Sequence, residues 1–117
     1  TLPEALKRGM GVIAMKTMGG TPAALPKTGA ITPAECLRYA MSLPVSSVCS
    51  GMDRPEWLEQ NLEVARNFTS MTLEEREALL ARTKPFAETG RHETYKTAWH
   101  RDVQKLMERS AQRQAAG

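Results

Sequence analysis

Cysteine and histidine are scarce: the chain has Cys36 and Cys49, His92 and His100, and no more of either. Cys36 falls within an expected helix and Cys49 at the end of an expected buried strand. Both therefore read as small apolar packing groups rather than as a disulfide framework, which points to a reducing, cytoplasmic setting. The cysteines and histidines stand at no metal-ligand spacing, so no zinc site is expected. Nor is there a run of about 18 or more apolar residues that would span a membrane, or a basic-then-apolar leader. Internal repeats and low-complexity segments are missing as well.

An excess of one charge is also missing from most of the chain. Residues 1–90 hold ten Lys or Arg against ten Asp or Glu, while residues 91–117 hold six against three, so the tail carries the whole net charge of +3. In that tail Tyr95, Trp99, Val103, Leu106 and Met107 recur at helical spacing, with Arg101, Lys105, Arg109 and Arg113 on the other side. A basic amphipathic helix can engage nucleic acid, an acidic membrane or a partner protein. A terminal helix docked on the body with a solvated charged face explains the same pattern and is the preferred reading.

What is present is ordinary in amount and informative in order. Apolar content of 41% with 25% charged residues suits one globular domain in 117 residues. Gly11-Val12-Ile13-Ala14-Met15-Lys16-Thr17 does not alternate, and a strand covered on both faces reads that way. It leads through Met18-Gly19-Gly20-Thr21-Pro22 and a loop punctuated by Pro26 and Gly29 to Thr32, Pro33 and Glu35. Those three give a cap, a first helical proline and a capping-box glutamate. Leu37, Ala40 and Met41 form the expected buried face, with Cys36 and Leu43 beside it. Pro44 stops the helix, and Val45 to Cys49 returns as a second strand. Strand, glycine-bearing loop, helix, strand is a βαβ unit with a parallel pair.

Directly behind the second strand stands Ser50-Gly51-Met52-Asp53-Arg54-Pro55-Glu56-Trp57-Leu58-Glu59-Gln60-Asn61. Pro55 suits the first helical position. Asp53 or Arg54 is the expected cap, and Asp53 with Glu56 has capping-box spacing. Leu58, Leu62 and Ala65 give an apolar face, with Asn61, Val64 and Phe68 on the adjoining stripe. A strand ending in glycine and turning at once into a helix leaves backbone N–H groups free, where a phosphate can sit. Gly51 alone reads more readily as a tight turn, and a second segment of the same kind after the first strand weakens that reading. A further capping box, Thr72 to Glu75, opens a helix expected to run to about Thr83 and to end before Pro85, packed by Leu73, Leu79 and Leu80.

Two parallel strands with apolar faces need more strands beside them and helices above and below. The chain also opens at Thr1 without an initiator methionine, and Leu2 to Arg8 reads as the end of a helix closed by Gly9. The expectation is a piece of a larger α/β fold.

Gly11 to Gly20 (GVIAMKTMGG), Cys36 to Pro44 (CLRYAMSLP) and Ser47 to Asn61 (SVCSGMDRPEWLEQN), in this order and spacing, resemble the C-terminal part of the aldo-keto reductases. These are (β/α)8 TIM barrels that reduce aldehydes and ketones with a nicotinamide cofactor. The resemblance covers about Leu2 to Pro85. It implies that residues 1–90 are the C-terminal portion of such a barrel, with strands resembling the seventh and eighth, and that 91–117 are an appended helical tail. A complete barrel takes about 250 residues.

By that resemblance, Lys16, Thr17, Met18, Gly19 and Gly20 match the loop along the cofactor pyrophosphate. Gly51, Met52 and Asp53 match the loop holding the phosphate on the adenosine ribose, and Trp57, Gln60 and Asn61 flank the adenine and its ribose. Lys16 either adds a point charge to a phosphate or is simply solvated. Trp57 stands where many members carry an arginine for the 2′-phosphate, so the choice of NADP or NAD stays open, with Arg54 a candidate substitute. The family's catalytic tyrosine, lysine, aspartate and histidine belong to earlier strands. Tyr39 and Tyr95 match none of them, and no catalytic residue is carried over. The implied function is part of a cofactor site in an NAD(P)H-dependent oxidoreductase, inactive alone. Two alternatives are a small α/β binding module whose basic terminal helix engages nucleic acid or a protein, and a half-barrel that assembles with another chain.

Overall fold

A computed structural model describes residues 1–19, 24–87 and 112. The expectations for Gly20, for His92 and His100, and for the basic tail lie outside the described residues. The described part is α/β: helices α1 (Leu2–Lys7), α2 (Pro33–Met41), α3 (Pro55–Arg66) and α4 (Leu73–Ala87), with strands β1 (Ile13–Ala14) and β2 (Ser47–Val48).

α1 ends as its sequence dictates. Gly9 takes φ +66°, its N–H donates to Leu6 O at 3.0 Å, and the Met10 N–H reaches back to Ala5 O at 3.0 Å. This pair of bonds is the Schellman closure that a glycine in the left-handed region allows.

The strands pair in parallel, with Ile13 opposite Ser47 and Ala14 opposite Val48. Flanking bonds extend the contact: Ser46 N–H to Val12 O at 2.7 Å, Cys49 N–H to Ala14 O at 2.8 Å, and Val12 N–H to the Ser46 hydroxyl at 3.1 Å. The parallel pair joined through α2 agrees with the sequence, but its extent and covering do not. Each strand is two residues long rather than the expected five to seven. Ile13 is 64% exposed and Met15 65%, so the apolar run is not covered on both faces. The physical reason is that each strand has one neighbour among the described residues, and a ladder with one partner and a bare face has little to hold it extended. A closed barrel is not formed by these residues.

α2 opens with the expected capping box. The Glu35 N–H donates to the Thr32 hydroxyl at 3.2 Å and the Thr32 N–H to the Glu35 carboxylate at 2.8 Å. Thr72 and Glu75 repeat the device at α4, at 3.1 and 2.8 Å. Each capping glutamate also holds an arginine of the other helix. Arg38 grips Glu75 with both terminal nitrogens, at 2.8 and 2.9 Å, and Arg82 pairs with Glu35. Because the earlier residue of α2 meets the later residue of α4, the two helices run in opposite directions. Ion pairs this exposed add little stability by themselves, but here they fix the register of α4 on α2.

Between these helices lies the core of Ile31, Cys36, Met71 and Leu79, with Met18, Leu25 and Tyr39 packed against it. Leu37 and Ala40 are buried too, while Met41 and Leu43 are half-buried. Leu73 (62% exposed) and Leu80 (52%) do not pack as expected, since α4 turns the side of Leu79 inward. Pro85 lies inside α4 rather than ending it. The residue before a proline is biased away from helical geometry without being barred from it, and the Thr83 hydroxyl supports this last stretch by donating to Leu79 O at 2.9 Å.

α3 packs on α2, but the contact does not close over its leucines. Gln60, Asn61 and Val64 are half-buried, whereas Leu58 and Leu62 remain exposed at 44% and 41%. Its apolar face is open.

Candidate functional site

Parallel pairing sends both strands out at the same end. The turn after β1 and the turn after β2 therefore leave from the same end of the pair, after Ala14 and Val48. The carboxyl edge of parallel strands is where α/β proteins usually hold their ligands.

The first turn is built by two left-handed residues. Lys16 adopts φ +54°, uncommon for a side chain other than glycine, and Gly19 adopts φ +83°. The Gly19 N–H donates to Lys16 O at 2.9 Å and the Leu25 N–H to Met18 O at 3.1 Å. A Cβ on Gly19 would meet the Leu25 Cγ at 3.0 Å, so both backbone angle and space require glycine there. The Lys16 side chain is exposed, and Thr17 and Met18 are half-buried.

The second turn differs from its expectation. Gly51 has open space where a Cβ would stand and is not left-handed, so the turn does not depend on glycine. Of the two expected caps, Arg54 rather than Asp53 opens α3, and no side chain caps the helix. With Arg54 at the cap, the third helical residue is Trp57, so Glu56 is out of position for a capping box with Asp53. The Trp57 N–H turns back to Arg54 O at 3.2 Å, and Pro55 has no N–H to offer. The opening of α3 thus presents fewer free donors than four orphan amides would provide, and the Asp53 and Glu56 carboxylates stand beside it.

What this turn does present is a cation over a ring. The Arg54 guanidinium carbon lies 5.8 Å from the Trp57 ring centroid, a contact of about 0.5–1 kcal/mol at an exposed position. One turn further on, the Asn61 Nδ2 donates to the Ser50 hydroxyl at 3.1 Å. Gln60 lies next to it, its Nε2 3.5 Å from Asn61 Oδ1. Ser50 was not singled out by the sequence, because a serine after a strand carries no signal of its own.

An open groove of about 540 Å³ runs between α2, β2 and α3, walled by Leu37, Met41, Leu58, Leu62 and Phe68. Of the candidate residues, Met52 and Asn61 line it. Lys16 to Gly19, Arg54 and Trp57 do not line it. The groove takes in two of the described candidates and leaves the others outside it.

The perturbed acids lie elsewhere. Burial raises the Glu35 carboxyl, but the Thr32 N–H, the Arg82 guanidinium and the Thr32 hydroxyl together hold it below its ordinary value. Arg38, and then the Thr72 N–H, do the same for Glu75. Burial, helped by the Glu35 charge, pushes the Cys36 thiol up to about 11, which makes it a packing group and a poor nucleophile. Among the described residues no three His, Cys, Asp or Glu side chains cluster to hold a metal, and no helix is long and apolar enough to cross a membrane.

No family model, curated protein or solved structure matches this chain. The site therefore rests on its own chemistry: two cations, an exposed indole face, a glycine-dependent turn and a serine–asparagine tie. Such a set can bind a flat or anionic group at its edge.

Proposed function

We propose that the chain supplies the phosphate and adenine end of a nicotinamide-cofactor site in an oxidoreductase of the aldo-keto reductase type, and that it carries no catalytic residue. The observation that carries this reading is the exit of the Lys16–Gly19 and Gly51–Arg54 turns from the same end of adjacent parallel strands. NADP is the preferred cofactor and NAD the alternative. The groups present fit such a ligand in kind. Lys16 and Arg54 offer charge-assisted bonds to phosphate, the left-handed Lys16 and Gly19 bring main chain to the edge, and Trp57, 43% exposed, offers a ring face to adenine. Asn61, through Ser50, keeps α3 and the second turn in place. When bound, the cofactor supplies the hydride for a carbonyl carbon, while this chain's residues bind and orient its adenine end.

Quenching of tryptophan fluorescence by NADPH tests the reading, with the Trp99→Phe variant used so that Trp57 alone reports. Saturable quenching that 2′,5′-ADP reverses supports it. A purely linear loss of signal from a folded chain contradicts it. Steady NADPH oxidation with small aldehydes by the purified chain would overturn the statement that it lacks catalytic residues.

A specific observation also favours assembly. Ile13 and Met15 on the strand, and Leu58 and Leu62 on α3, are 41–65% exposed, and bare apolar surface of this kind marks an interaction face. On this reading further strands and helices of the barrel cover them. A thermal midpoint that rises with protein concentration would mark self-association. A midpoint independent of concentration, from a sharply cooperative melt, would contradict assembly between copies.

A further inference from the structure

We draw no further inference here: the strongest candidate, the open apolar groove between α2, β2 and α3 walled by Leu37, Met41, Leu58, Leu62 and Phe68, carries nothing because nothing in the structure shows what covers it.

Discussion

Asn61 on α3 reaches back across eleven residues to the Ser50 hydroxyl at 3.1 Å, so one side chain ties the helix to the end of the strand that precedes it. Removing that amide by Asn61→Ala deletes a half-buried bond and is expected to cost about 0.5–1.5 kcal/mol of stability, read from a urea midpoint. The nucleotide affinity is expected to fall further than that loss accounts for, because the second turn is no longer held. Equal affinity in the variant would show that the tie is structural only.

The two glycine turns are expected to respond in opposite ways. Gly19→Ala forces a side chain to φ +83° against Leu25 and is expected to destabilise by about 1–2 kcal/mol. Gly51→Ala meets open space at an ordinary backbone angle and is expected to fall within about 0.5 kcal/mol of the parent, or to stabilise slightly by limiting the unfolded chain. Thermal melts of the two variants decide this. A large loss from Gly51→Ala would mean that this turn is tighter than described.

The core is small enough to depend on single residues. Leu79 is 4% exposed at the contact with Cys36, Ile31 and Met71, and Leu79→Ala is expected to cost about 2–5 kcal/mol, a large share of the stability of a small domain. Leu80, one residue on and 52% exposed, is expected to accept alanine within about 0.5 kcal/mol. Denaturant titration of the pair tests which face of α4 is buried.

How far this was legible in the sequence depends on how local each signal is. Thr32 with Glu35, Thr72 with Glu75, and Gly9 after α1 predicted their helix ends, because caps are decided by residues within one turn. The order of elements and the parallel pairing followed from the apolar runs and the length of the crossover. Which face of a helix is buried is decided by distant partners. Leu58 and Leu62 line the groove with Leu37 and Met41 of α2 and yet stay exposed, whereas Gln60 and Val64 on the same helix are half-buried. The grip of Arg38 on Glu75 across 37 residues leaves no pattern in the chain at all. At the candidate site the residue types were legible, as was Pro55 without its N–H, but the choice of Arg54 over Asp53 as cap was left open by the sequence.

Acid is expected to loosen α4 from α2. Glu35 and Glu75 both titrate below their ordinary value of 4.5 in the folded chain. Their contribution is therefore complete above about that pH and is lost as the pH falls through the lower folded values. That contribution should be unchanged from about pH 6 down to 5 and fade, as a small loss for pairs this exposed, once the pH drops below about 4.5. Glu35→Gln and Glu75→Gln, which keep a capping side chain without the charge, should each flatten that fall. An unchanged acid slope in the double variant would contradict the assignment.

Calorimetric titration of the folded chain with NADP at low salt tests the central claim most directly, alongside Lys16→Ala and Arg54→Ala. Binding with one site per chain, weakened about tenfold or more in each variant, is the predicted result, since about 1.4 kcal/mol corresponds to tenfold and each change removes a charge-assisted phosphate contact. No heat of binding at millimolar NADP, or binding that neither variant alters, would contradict a phosphate site on this edge.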